Sequence, residues 1–456
     1  MVQRELREIP GVTVLVYDQP CAAEKRRKRK RGTCPDPLKR IFINELVCEG
    51  CGDCSVQSNC LSIYPLETWF GRKRRIDQSS CNKDYSCVKG FCPSFVTVEG
   101  GTLRKPAQIA AGDEFRARIE RLPEATLPVL YGAWDLLVGG VGGTGVVTVG
   151  AEHVVVIDAT MLAERLLGHS VYSNVLMLGF AWQRGMVPVS RRAIERAIEL
   201  NGVSVDWNLQ AFNWGRLAAC EPGHVNRATG LLEPETAVPT LDAIIRRRMD
   251  FLCDYQDAAW ANSYLEAVER VRRAEAALDR NEELSEAVAH NLFRLMSYKD
   301  EYEVARLFTS GGFLDKLKQT FEGDYKLKLH LAPPLLRAGK DALGRPKKRE
   351  FGSWMLHAMH VLALGKRVRG TALDPFGYLA ERRAERRLIA QYRALLDTVL
   401  PGLNASGYPL ALKLARLPEQ VRGFGPVKEK AIVEMEEARA RLLQEYSGDD
   451  RYAEVA

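Results

Sequence analysis

Cys48-Glu49-Gly50-Cys51-Gly52-Asp53-Cys54, followed by Cys60, by Cys81-Asn82-Lys83-Asp84-Tyr85-Ser86-Cys87 and by Cys92-Pro93, is the stretch on which the reading of this chain turns. A Cys-x2-Cys-x2-Cys run can wrap an iron–sulfur cubane so that three thiolates reach three irons, with the fourth ligand coming from elsewhere. Where a protein carries two such clusters, the fourth cysteine of each run crosses to the other cluster and is commonly followed by proline. Cys92-Pro93 has that form. The ligand count assigns Cys48, Cys51, Cys54 and Cys92 to one cluster, and Cys60, Cys81 and Cys87 to the other.

The second run keeps the spacing of the first, but Asp84 stands where its middle cysteine should be. A carboxylate is a harder and weaker ligand for cluster iron than a thiolate. The sequence therefore predicts one [4Fe–4S] cluster and a second that is [4Fe–4S] or [3Fe–4S], with a labile corner at Asp84. Structural zinc is the competing reading. It takes four ligands, usually from two Cys-x2-4-Cys pairs, and a continuous triple run closed by Cys-Pro fits that pattern poorly. Cys21, Cys34, Cys220 and Cys253 stand apart, and the default for isolated cysteines is a buried structural role.

Working outward, the chain has 456 residues, 46% hydrophobic and 27% charged, which suits a multi-domain protein with real cores. No apolar run reaches the ~18–20 residues of a membrane-spanning helix, and Met1–Glu5 lacks the apolar core of a secretion signal. The expected compartment is the cytoplasm. There, eleven cysteines serve metal binding more readily than disulfides. Net charge is +7, and Lys25-Arg26-Arg27-Lys28-Arg29-Lys30-Arg31 supplies seven consecutive cations. Such a run can mark a nuclear-localisation or nucleic-acid patch. It can equally be a solvated domain edge, or a surface that attracts an acidic electron-transfer partner.

Val12–Tyr17 is nearly all apolar and reads as a strand buried on both faces. Residues 101–133 have linker character. Strands are expected at Trp134–Val138 and at 153–157, and patterns of helical period dominate from Ala159 onward. Ser263–Asp279, Leu379–Leu396 and Val427–Glu445 are amphipathic helices by pattern. Arg422-Gly423-Phe424-Gly425-Pro426 marks a sharp turn before the last of them. His357 and His360 fall at i,i+3 in an apolar helical stretch and read as a packed pair.

Gly140-Val141-Gly142-Gly143-Thr144-Gly145 follows a strand and matches Gly-x-Gly-x-x-Gly, with Asp158 eighteen residues after Gly140. Gly140, Gly142, Gly143 and Gly145 are thus candidates to cradle a phosphate. A nicotinamide site is not expected, because only residues 146–152 separate the loop from the next strand. A parallel crossover needs a dozen or more.

The segment Cys48–Pro93, with Phe70-Gly71-Arg72-Lys73-Arg74-Arg75-Ile76-Asp77-Gln78-Ser79 inside it, resembles the ferredoxin-like region of indolepyruvate ferredoxin oxidoreductases of the fused, single-chain type. Tyr17-Asp18-Gln19-Pro20-Cys21-Ala22-Ala23-Glu24-Lys25 is similar to the end of their thiamine-diphosphate domain, and Leu136–Gly150 to the opening of their gamma domain. Asp158-Ala159-Thr160 through Trp214-Gly215-Arg216 resembles the close of that domain, and the helical tail resembles their C-terminal extension.

The resemblance implies a multi-domain α/β plus α fold. Residues 1–40 would be a remnant of the thiamine-diphosphate domain, 41–100 a small ferredoxin-like two-cluster domain, and 101–133 a linker. Residues 134–240 would be a truncated gamma-type α/β domain, and 241–456 a mostly helical C-terminal domain. The implied reaction is oxidative decarboxylation of a 2-oxo acid such as indolepyruvate. Thiamine diphosphate with magnesium and coenzyme A belong to the complete enzyme, and electrons pass through the clusters to ferredoxin.

Most of the thiamine-binding half is missing here, and no Gly-Asp-Gly-type diphosphate–magnesium motif is present. The chain alone is therefore expected to be inactive, completed by a chain supplying the thiamine domains or by a homodimer partner. A stand-alone iron–sulfur carrier or adaptor is the alternative. A zinc-containing nucleic-acid binder using Lys25–Arg31 is the third reading.

Overall fold

The computed structural model describes residues 2–16, 18, 20–104, 112–129, 131, 137–141, 144–149, 154–229, 240–278, 280–310, 312–334, 339–341 and 344–453. The fold mixes helix with small sheets, and every strand pair described is antiparallel. None of the described helices is long and apolar enough to cross a membrane.

In the cysteine segment, alternation along Lys39-Arg40-Ile41-Phe42-Ile43 turns Ile41 and Ile43 inward and forms strand β1 (Lys39–Ile43). Strands β2 (Ile63–Leu66), β3 (Lys73–Ile76) and β4 (Phe95–Glu99) follow. β1 pairs with β4, Ile41 opposite Thr97, and β2 pairs with β3, Ile63 opposite Ile76. The helix Asp53–Ser58 lies between β1 and β2, and the 3-10 turn Ser86–Lys89 lies between β3 and β4. The order strand–helix–strand thus occurs twice. Ile41, Ile43, Ile63, Ile76 and Phe95 pack among Cys48, Cys54 and Cys87 in one core.

Beyond β5 (Thr102–Leu103), the region expected as linker holds the helix Asp113–Arg121. Strands β6 (Leu137–Val141), β7 (Thr144–Val149) and β8 (Val154–Val156) then form an antiparallel meander. Gly140 and Gly145 sit within its paired strands, while Gly142 and Gly143 lie outside the described residues. A strand, not a helix, follows these glycines. The strand–loop–helix frame of a dinucleotide site is therefore missing at this point. Asp158 accepts the Met161 N–H at 2.9 Å and caps the helix Ala159–Leu167.

The C-terminal region is not only helical. It also supplies β9 (Phe321–Glu322), paired with β5, then β10 (Lys326–Leu331) and β11 (Arg349–Gly352). β10 adds to β4, with Leu329 opposite Val96, and the sheet runs β1–β4–β10–β11. One sheet therefore joins residues assigned by sequence to the separate 41–100 and 241–456 units. Val96, Val98, Leu327, Leu329, Phe308 and Phe321 share a core that seals the two together.

The expected C-terminal helices are present as Ala258–Ala276, Ala380–Val399 and Pro426–Ala453. With Leu241–Tyr255, Glu283–Met296 and Tyr408–Arg416 they enclose a core that includes Leu252, Tyr264, Leu292, Leu396 and Leu414.

Two expectations change. Residues 12–16 form no strand, with Val12 97% and Val16 81% exposed, and Tyr17 lies outside the described residues. An apolar run becomes a strand only where a sheet edge receives it, and none pairs with it among the described residues. Of the isolated cysteines read as buried, Cys21, Cys220 and Cys253 are exposed and Cys34 is half-buried.

Candidate metal centre

The two cysteine loops repeat one backbone shape. Gly50 and Gly52 have φ of 67° and 82°, and the matching Lys83 and Tyr85 have φ of 52° and 63°. These values lie in the left-handed region, which residues other than glycine seldom adopt. The shape turns main-chain N–H groups toward the ligand atoms. Gly50 N–H donates to Cys48 Sγ at 3.4 Å, and Lys83 N–H donates to Cys81 Sγ at 3.5 Å. The Asp53 main chain favours the Cys51 thiolate, and at the matching position Ser86 N–H donates to Asp84 Oδ1 at 3.1 Å. Asp84 therefore takes the place of Cys51 against the main chain as well as in sequence. Ser94 N–H completes the pattern at Cys92 Sγ, 3.4 Å away.

The side chains fall into two sets by their electrostatic influence on one another. Cys48, Cys51, Cys54 and Cys92 act on one another electrostatically, and so do Cys60, Cys81, Cys87 and Asp84. Burial pushes the Cys51 thiol up to about 11, with Cys48 and Cys54 adding to the shift. Burial, then Cys81 and Cys60, pushes Cys87 up to about 12, and Cys92 is raised well above the ordinary thiol value. Thiols so crowded ionise together only if positive charge arrives among them, which is what an iron–sulfur core or a metal ion brings.

The protein supplies part of that charge. Lys73, buried and lowered to about 8 by burial, donates to the Cys48 carbonyl at 2.8 Å. Arg74 acts on Cys54, and its buried Nε has no hydrogen-bond partner among the described residues. Lys348 donates to the carbonyls of Val88 and Gly90 and lies close to Cys92 and Cys87. Arg40 stands near Cys81. A cluster held by four thiolates carries net negative charge, and this surround of cations suits it.

Coverage differs between the sets. The expected turn Arg422–Pro426 folds over the first loop. Gly423, with φ 102°, comes so close that a Cβ there would lie 3.3 Å from Cys51 Cβ. At Asp84, by contrast, the second loop meets solvent.

Between the second loop and β11 lies a cleft of about 560 Å³ whose lining includes Lys39, Tyr85, Phe91, His330, Arg345 and Lys348. His330 donates to or accepts from Thr97 Oγ1 at 2.7 Å, and burial holds it neutral, lowered to about 4. His357 and His360 are exposed on the helix Trp354–Leu364 rather than packed. Among the described residues, no three His, Cys, Asp or Glu side chains converge as a site for one metal ion. The thiolates of a cubane each bind a separate iron and need not converge on one point.

Sequence reasoning passed over Lys73, Arg74, Arg345, Lys348 and the contact of Gly423 with Cys51. Lys73 and Arg74 lie inside the cysteine segment, where a basic pair in a strand beside thiol loops was the available signal. The others come from more than 200 residues away.

Residues 241–441 match a family of unknown function (DUF6537). The matched region contains both strands added to the cysteine sheet and the turn over Cys51. No curated protein and no solved structure matches the chain.

Proposed function

We propose that this chain holds two iron–sulfur clusters between Cys48 and Cys92 and is the electron-transfer and C-terminal part of an arylpyruvate:ferredoxin oxidoreductase. In that role it receives electrons from a thiamine-dependent oxidative decarboxylation of a 2-oxo acid and hands them to ferredoxin. The observation that carries the cluster reading is the repeated loop, with main-chain N–H groups hydrogen-bonded to three cysteine sulfurs, of Cys48, Cys81 and Cys92, and to the Asp84 carboxylate. The sequence resemblance from Phe70 to Ser79 and across the helical tail supports the enzyme class.

Cys48, Cys51, Cys54 and Cys92 would hold one cluster, and Cys60, Cys81, Cys87 and Asp84 the other. Bound clusters supply one-electron storage and transfer. The residues of the chain do the rest. N–H groups stabilise the thiolate and carboxylate forms, and Lys73, Arg74, Arg40 and Lys348 offset their charge. The turn Arg422–Pro426 partly covers Cys51. Asp84, exposed and steadied by the Ser86 N–H and hydroxyl, is the ligand most open to exchange.

The test is the iron and acid-labile sulfide content of anaerobically purified protein, with electron paramagnetic resonance after mild oxidation. About seven to eight irons per chain are expected, with a [3Fe–4S] signal that Asp84→Cys abolishes. Zinc without sulfide would overturn the reading.

A further inference from the structure

Six of the seven consecutive cations lie in a helix, Ala22–Lys30, with Arg31 as its C-cap, and the helix is fastened to the second cysteine loop. Arg26 donates to the Ser80 carbonyl at 3.1 Å, and Arg29 donates to the Asn82 carbonyl at 2.6 Å. Ser80 and Asn82 are the two neighbours of Cys81 in the chain. Arg29 also reaches the Pro35 carbonyl at 3.1 Å. Asp36 is engaged by Lys83 at 2.6 Å and lies 3.8 Å from Arg29 Nε. The inner side of the helix is thus committed to the loop.

The outer side is not. Arg27, Lys28 and Arg31 are exposed. Arg27 has only a 3.7 Å contact with Glu24, and Lys28 and Arg31 make no ion pair among the described residues. The loop to which Arg26 and Arg29 fasten the helix also brings Asp84 to the surface, whereas the Arg422–Pro426 turn lies over the first loop. Exposed cations therefore collect where the cysteine segment is open to solvent.

We infer that Arg27, Lys28 and Arg31 form the docking surface for an acidic one-electron carrier protein of the ferredoxin type, seated beside the Asp84 loop. The inference rests on the two-cluster reading and adds to it the face at which the partner binds. Carboxylates on such a partner complement this face, and long-range attraction raises its encounter rate.

Nucleic acid is the other polyanion a basic run can take. Two features favour the protein partner. Nine residues of helix span only about 13 Å, a compact patch rather than a track along a phosphate backbone. No aromatic residue lies within Ala22–Lys30 on which a base could stack.

The experiment compares the anaerobically purified full chain with the Arg27→Glu, Lys28→Glu, Arg31→Glu triple variant. Binding of an acidic two-cluster ferredoxin is titrated by calorimetry at about 20 and 300 mM salt, beside a 20-base-pair DNA duplex as the competing probe. Iron and sulfide are measured on the same samples. The expected result is equal iron and sulfide in both proteins, with ferredoxin binding weakened about tenfold or more in the variant at low salt and its salt dependence flattened. Unaltered ferredoxin binding by a variant with full sulfide content would overturn the docking surface alone. Tighter binding of the duplex than of ferredoxin, lost in the variant, would overturn it in favour of nucleic acid. A wild-type protein without sulfide would overturn the reading beneath it.

Discussion

Gly50→Ala and Lys83→Gly change the same position in the two loops and should have unequal consequences. At Gly50, φ is 67° and an added Cβ would lie 2.1 Å from the Arg72 carbonyl oxygen, at the entrance to β3. Alanine pays about 1–2 kcal/mol for the left-handed conformation. It also forces apart two backbones that no side-chain rotation can separate, which costs a further ~1–3 kcal/mol by analogy with overpacked cores. The sum, about 2–5 kcal/mol, falls on the segment that positions Cys48 and Cys51. At Lys83, φ is 52°, so glycine recovers about 1 kcal/mol of backbone strain. It gives up the buried Lys83 ammonium, which pairs with Asp36 at 2.6 Å and donates to the Pro37 carbonyl at 2.9 Å, together about 1–3 kcal/mol. The net change is a loss of about 0–2 kcal/mol, smaller than at Gly50.

The assay is anaerobic thermal unfolding with iron and sulfide content on the same samples. Gly50→Ala should lose stability and metal, while Lys83→Gly should lose less of each. Equal tolerance of the two substitutions would refute the claim that the loops share a backbone shape for which only Gly50 is sterically required.

Three further outcomes are expected. Burial, followed by Asp77, raises the Glu164 carboxyl to about 7. The folded state then holds a proton that the unfolded chain releases near its ordinary value. Stability contributed by this group is full below about pH 4.5 and falls as pH rises to 7; Glu164→Gln should flatten the dependence of melting temperature on pH across that window. Asp300 accepts two hydrogen bonds from buried Arg369 at 2.5 and 2.9 Å and caps the helix Glu301–Thr309. Asp300→Ala, which strands the guanidinium, should destabilise the C-terminal region by about 3–5 kcal/mol in denaturant titration. Gly423→Val, which inserts a side chain against Cys51, should raise the accessibility of that cysteine in the metal-free protein, read as faster alkylation.

The relation between sequence and structure is clearest residue by residue. The loops around Cys48–Cys54 and Cys81–Cys87 were legible because each is seven consecutive residues whose spacing sets which side chains can converge. Asp84 stood out for the same reason. The helices over 258–276, 380–399 and 426–453 were legible from apolar periodicity, and the turn at 422–426 from its two glycines and proline. The glycine-rich segment was open to two readings by motif; the short spacing after Gly145 argued against a nicotinamide site, and only the structure showed the antiparallel hairpin.

Val12–Tyr17 misled, because apolar composition reports a tendency to be covered and says nothing about whether a partner edge exists. The basic run was ambiguous for a related reason. Its charges are visible in sequence, but the carbonyls of Ser80 and Asn82 that hold Arg26 and Arg29 are more than 50 residues away.

By itself the sequence determined the chemistry available at the site. It held seven thiols and one carboxylate at fixed spacing, flexible glycine at Gly50 and Gly52, and cations in one block. These properties reside in neighbouring residues and short-range sterics. Tertiary structure alone decided what encloses that chemistry. It set β10 beside β4, brought Gly423 to Cys51, placed Lys348 near Cys92 and left Asp84 in solvent. Each of those depends on which apolar faces and strand edges find one another across hundreds of residues, and that choice is made by the burial of the whole core at once.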